Sequence, residues 1–277
     1  MVSHIGAATD FALAGGTTLF KVPTRVIQLA AFAAILAYFF AFTYRGLGMG
    51  MSNDDLMNIQ FLHGWGVRPF WNLVGHALLV ATPVYRPLGG VVYRTLFAAF
   101  GLDPLPYRIF CFAVITFNIA LAMWFCRLLA GTRSAALFAT LVFAFHTCMA
   151  QLYFETATLY DLLCYTFGIS ALIFYIRRRQ SGHAVAGKWL VGFLVLYALA
   201  LGSKEMAITW PAVIVLYELI FHAHRDQLRQ RLAVPGLAGA LTLIYALVKT
   251  KTPNPMSINP LYTPRFDPLF IVEQMRH

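Results

Sequence analysis

Acidic residues are scarce in this chain. Eleven Asp and Glu stand against 21 Lys and Arg, and charged residues fill only 12% of 277 positions. That is about half the roughly 25% of a soluble domain. With 60% hydrophobic residues, the shortage excludes a soluble globular domain and points to an all-α integral membrane protein. No basic stretch is interleaved with aromatics, so the net charge of +10 does not point to nucleic acid as a partner. There is no Walker loop, no Rossmann glycine fingerprint and no GxSxG elbow, which leaves nucleotide chemistry inside the cell unsupported. The four cysteines, Cys111, Cys126, Cys148 and Cys164, form no CxxC and no Cys/His ligand spacing. They read as small buried hydrophobes.

What the chain has in plenty is apolar runs. Seven segments can span a bilayer, about 26–43, 107–126, 135–152, 159–176, 189–203, 206–223 and 232–248, at roughly 20 residues per crossing with latitude for tilt. The first exceeds a signal-peptide core of about 7–15 residues and no A-x-A site follows it, so it reads as an uncleaved helix. Residues 1–25 then form a cytoplasmic N-terminal segment, 26–248 a transmembrane domain and 249–277 a proline-rich outer loop or truncated tail. The outer loop 44–106 holds two short apolar stretches, Pro69–Ala81 and Leu88–Phe100. These read as amphipathic helices at the membrane interface, although a re-entrant hairpin would preserve the same orientation.

Charge sets that orientation. Lys21 and Arg25, Arg127 and Arg133, Arg177 to Arg179 with Lys188, and Arg225, Arg229 and Arg231 all fall on one face, which the positive-inside rule makes cytoplasmic. Eight acids fall at or beyond the other face: Asp54, Asp55, Asp103, Glu155, Asp161, Glu205, Asp267 and Glu273. Asp10 and Asp226 lie inside, and Glu218 lies within the sixth segment, four residues before His222 as its local partner. Acid/base chemistry therefore belongs to the outer, periplasmic or lumenal face.

Several outer residues can carry chemistry. Asp54 or Asp55 could act as a general base or bind a divalent cation; equally, Asn53 or Asp54 could cap a helix that begins near Leu56. Asp161 opens the fourth segment, where a helix dipole also favours an acid, and Glu155 is its neighbour in the same loop. Lys204 and Glu205 join the fifth and sixth segments. Lys204 suits a phosphate, or it snorkels at a helix end. Arg86 and Arg94 are arginines that topology does not need, and their guanidinium forks suit a phosphate or lipid headgroups. His63, His76 and His146 lack ligand spacing to one another.

These motifs occur in a suggestive order: "NDD", "YRPLGG" with a following "YR", "GLDPLPYR", "ETATLYDLL" and "SKEMAITWPAVIVLYEL". Over about residues 26–225 the chain resembles the bacterial polytopic GT-C glycosyltransferases. It is similar to the transmembrane and tetratricopeptide-repeat O-mannosyltransferases, and more distantly to protein O-mannosyltransferases and aminoarabinose transferases. The resemblance implies a seven-helix core in the bacterial inner membrane and sugar transfer from a polyprenyl-phosphate donor, with inversion, to a protein or glycan acceptor. It puts the catalytic base on Asp54 or Asp55, Asp55 being favoured, and makes Asp161 the acid after the third span. Arg86, Lys204 and Arg94 become the donor-phosphate residues, and Glu155 and Glu205 candidates for substrate or metal. Some members use a divalent cation, magnesium or manganese, and others do not. Family members usually continue through further spans, so the stop at His277 reads as a truncated product, a split enzyme whose partner chain supplies the missing helices, or an inactive remnant. A flippase or transporter of lipid-linked glycans, and a non-catalytic membrane subunit, are the rival readings.

Overall fold

The computed structural model describes residues 24–63, 69–79, 86–146, 150–222 and 228–250. Most of the N-terminal segment, with Asp10 and Lys21, lies outside the described residues, as do Arg225, Asp226, Cys148 and nearly all of the proline-rich tail, with Asp267 and Glu273. The side chains of His63, Arg229 and Arg231 lie outside them too. Within the described residues every regular element is a helix: α1 (Thr24–Thr43), α2 (Asn53–His63), α3 (Phe70–Leu79), α4 (Pro87–Phe100), α5 (Pro104–Ala130), α6 (Arg133–Phe145), α7 (Ala150–Phe154), α8 (Leu159–Gln180), α9 (Lys188–Ser203), α10 (Trp210–His222) and α11 (Leu228–Thr250). Short 3-10 turns, Tyr44–Gly48 and Glu205–Thr209, follow α1 and precede α10.

Five of these segments are long and apolar enough to cross a membrane: Arg25–Gly48, Pro104–Ala130, Leu159–Gln180, Glu205–His222 and Leu232–Lys249. That is fewer than the seven expected. The expected third span breaks where His146 turns extended (ψ 134°), and a new five-residue helix starts at Ala150. The 13 residues of α6 rise about 20 Å, against a hydrocarbon core of about 30 Å. The fifth span, α9, has 16 residues and falls short in the same way.

Capping residues place the helix ends. Asp103 accepts the Leu105 N–H at 3.1 Å and Pro104 opens α5, while Gly131, at φ 68°, closes it with an N–H to the Arg127 carbonyl. Only a residue tolerant of positive φ ends a helix this way without strain. α8 is the most buried of the five long helices, and it packs against both α5 and α9. Asn118 of α5 reaches across to α8, donating to the Leu162 carbonyl at 3.0 Å and accepting from Thr166 Oγ1 at 2.7 Å. Gly168 lets Trp210 approach, since a Cβ there would meet the indole at 2.5 Å. Cys111 and Cys164 are buried, as small hydrophobes, and Cys126 is half-buried.

One departure concerns the 44–106 region: helix α2 starts at Asn53 rather than near Leu56. Helix α4 packs against α2, α3 and α9 and buries Gly89, Gly90, Val91, Tyr93 and Arg94. The "LGG" run explains this: without side chains it admits close neighbours, and a Cβ on Gly89 would sit 2.1 Å from the Tyr160 ring. Helix α3 buries Leu73 and Ala77 and exposes Phe70 and Trp71.

At the far end of α8, Glu218 is buried and fully engaged. Arg179 grips it through two bonds of 2.7 Å, Tyr175 donates at 2.9 Å, and His222 Nδ1 lies 3.7 Å away. The expected His222 pairing is thus one part of a larger network.

Replacing Asn118 with Leu removes a polar tie between apolar helices. We expect a loss of about 1 kcal/mol, the usual size of an interhelical bond in a membrane. Thermal unfolding in detergent measures it, and an unshifted midpoint would count against the clasp.

Candidate functional site

A cavity of about 690 Å³ opens where α2, the start of α4, α5, the loop around α7, the start of α8 and the α9–α10 junction meet. Its charged lining is Asp54, Arg86, Glu155, Asp161 and Lys204, with aromatic walls that include Phe61, Tyr160 and Trp210. These five come from four separate motifs of the sequence, Glu155 and Asp161 sharing one.

Each is held by an identifiable local device. Ser52 Oγ accepts the Asp55 N–H at 3.2 Å and the Asp55 carboxylate accepts the Ser52 N–H at 2.8 Å, a reciprocal capping box. The box starts α2 and leaves its neighbour Asp54 exposed to the cavity. Lys204 is extended (φ −155°, ψ 148°) between α9 and the 3-10 turn, so it and Glu205 diverge. Lys204 Nζ donates to both Asp161 oxygens at 2.6 Å. Glu205 turns to Arg86, whose Nε and Nη2 donate to it at 3.0 and 2.7 Å, and to Lys249 at 3.1 Å. The Arg86 guanidinium also lies over the Tyr160 ring, 5.2 Å from its centre. Burial opposes the Arg86 charge, but the Glu205 fork and nearby negative groups outweigh it and raise the group above its ordinary value. Arg86 is therefore a permanent cation.

Three expected site residues lie elsewhere. Asp55, the favoured base, is 0% exposed. Beyond the capping box it accepts from the Tyr93 hydroxyl at 3.1 Å, and burial, with Asp55 alongside, pushes that hydroxyl well up so that it stays a donor. A carboxylate so enclosed holds structure, and it does not line the cavity. Arg94 is buried in α4 with its guanidinium over Phe97, away from the cavity lining. Glu205 touches the site only through Arg86.

Sequence reading missed Arg108, in the "GLDPLPYR" string. It is 0% exposed, and its three guanidinium nitrogens find no hydrogen-bond partner among the described residues. It lies within the electrostatic reach of Asp55 and Glu155. A buried carboxylate benefits from a nearby opposite charge, and Arg108 is within range to favour Asp55. The available signal was a lone arginine set inside an apolar run.

No three His, Cys, Asp or Glu residues cluster as metal ligands among the described residues. The Asp161 carboxylate is already neutralised by an ammonium and both Asp55 oxygens are engaged.

Comparison with protein-family models, with characterised proteins and with solved structures finds no match for this chain. The likeness to GT-C enzymes therefore rests on its own motifs.

Two stability measurements test this geometry. Asp55→Ala should cost about 1 kcal/mol through its capping box alone, whereas Asp54→Ala should stay within about 0.5 kcal/mol of the parent. Equal losses in thermal unfolding would contradict the division of roles. Arg108→Met should cost less in an Asp55→Asn background than in the parent, with a coupling of about 1 kcal/mol or more. Strict additivity would show that the two charges do not communicate.

Proposed function

We propose that this chain is a membrane glycosyltransferase of the GT-C kind. It takes a sugar from a polyprenyl-phosphate donor and passes it to an acceptor hydroxyl or amine. The reaction runs on the outer, periplasmic face of a bacterial inner membrane, with the N-terminus cytoplasmic. One observation carries this reading. Asp54 is a cavity carboxylate without a hydrogen bond or ion pair among the described residues, and it shares that cavity with Arg86 and Lys204.

In this reading Asp54 replaces Asp55 as the base. It removes the acceptor proton as the acceptor oxygen or nitrogen bonds to the anomeric carbon. The bond from that carbon to the phosphate oxygen breaks on the opposite side, its electron pair leaves with the lipid phosphate, and the configuration inverts. Lys204 and Arg86 offset the developing phosphate charge. Both cations hold carboxylates in the resting site, so the donor phosphate competes with Asp161 for Lys204 and with Glu205 for Arg86. Asp161 and Glu205 thereby hold the two cations in place until donor arrives. The aromatic walls suit a sugar face and the start of an isoprenoid chain.

Asp54→Asn should lower transfer from a polyprenyl-phosphate sugar in proteoliposomes by about 10²–10⁴-fold, the usual weight of a general base, without lowering the melting midpoint. Lys204→Met should weaken donor binding as well as turnover. Full transfer by Asp54→Asn would sink the assignment. Movement of lipid-linked glycan across the bilayer without covalent transfer would instead make the chain a transporter.

A further inference from the structure

A second concavity, of about 350 Å³, lies between α1, α5 and α6. It is lined by Arg25, Gln28, Leu29, Phe32, Met123, Arg127 and Arg133. The 20 residues of α1 rise about 30 Å. Arg25 starts that helix and Asp54 follows its other end, so the groove and the first cavity occupy opposite ends of the bundle.

Its chemistry is divided in two. Arg127 sits in the last turn of α5, Arg133 opens α6 beyond the Gly131 turn, and Arg25 lies in the first turn of α1. Among the described residues no carboxylate lines the groove. None of the three guanidinium groups has a hydrogen bond or ion pair among the described residues. Three like charges around one depression repel one another, and α1 and α6 carry no acid in their first turns to relieve them. Further along the groove, Leu29, Phe32 and Met123 make an apolar wall. Helix α1 is the least buried of the five long helices, so this wall opens towards the lipid.

We propose that the groove binds one anionic phospholipid, its phosphate held by Arg25, Arg127 and Arg133 and an acyl chain lying along Leu29, Phe32 and Met123. The apolar wall selects a lipid over a free anion, because an inorganic phosphate leaves it unused. The charge selects an anionic headgroup over a zwitterionic one: the lining offers a choline ammonium no carboxylate, and Gln28 supplies its sole neutral polar side chain. Basic pockets between membrane helices are recurrent sites for such headgroups.

The test uses the full purified chain in native mass spectrometry, with phosphatidylglycerol and phosphatidylcholine as competing probes and inorganic phosphate as a third arm. One phosphatidylglycerol should be retained in preference to phosphatidylcholine, and excess inorganic phosphate should not displace it. Each Arg→Gln change should weaken retention about fivefold, the weight of one basic residue at an anionic surface. Phe32→Ser should weaken it with the arginines intact, and Lys188→Gln, in a different basic loop, should leave it unchanged. Arg133→Lys keeps the charge and should retain the lipid, which separates lost binding from lost folding. Equal retention of the two lipids would overturn the proposal, as would phosphatidylglycerol bound by the triple Arg→Gln variant. Displacement by inorganic phosphate would overturn it too, by making the groove a simple anion site.

Discussion

The contact between Lys204 and Asp161 sets the geometry of the first cavity. A half-exposed ion pair adds little to stability, about 0–1 kcal/mol, and its importance here is positional. With the ammonium 2.6 Å from both carboxylate oxygens, the α9–α10 junction is pinned to the first turn of α8. Tyr160, adjacent to Asp161, then forms the surface on which Arg86 rests and against which the bare backbone of Gly89 packs. Arg86 in turn holds Glu205, which holds Lys249 at the end of α11. Sequentially distant helices thus meet through charges at one end of the bundle, where water can share the cost of burying them.

The remaining polar groups follow the same economy. The middle of the bundle is tied by neutral contacts, of which Asn118 is the clearest. Charge returns at the far end of α8, where Glu218 is enclosed by Arg179, Tyr175 and His222. Arg108 breaks the pattern. It lies early in an apolar helix, buried within electrostatic range of the equally buried Asp55.

Much of this was legible in the sequence, because apolar runs and punctuating charges are local signals. The helices and the pairing of Glu218 with His222 follow from them, whereas the grouping of Asp54, Asp161, Arg86 and Lys204 was implied only by the resemblance of the motif order. What was not legible depended on partners far along the chain. Asp55 and Asp54 are indistinguishable until Tyr93 closes over one of them. Arg94 looks like an interfacial cation until the two glycines of α4 let that helix pack inward. The third crossing reads as one apolar run, since hydropathy does not register the extended backbone at His146.

The extended backbone of Lys204 also makes the site sensitive to residue order. In an extended strand consecutive side chains point to opposite sides, so the order Lys-Glu decides which charge enters the cavity. Exchanging these two residues would turn a carboxylate towards Asp161 and an ammonium towards Arg86. Both contacts would become repulsions at once, with composition and hydropathy unchanged. Substitutions grade the strength of this site, whereas the order of a single dipeptide decides its sign.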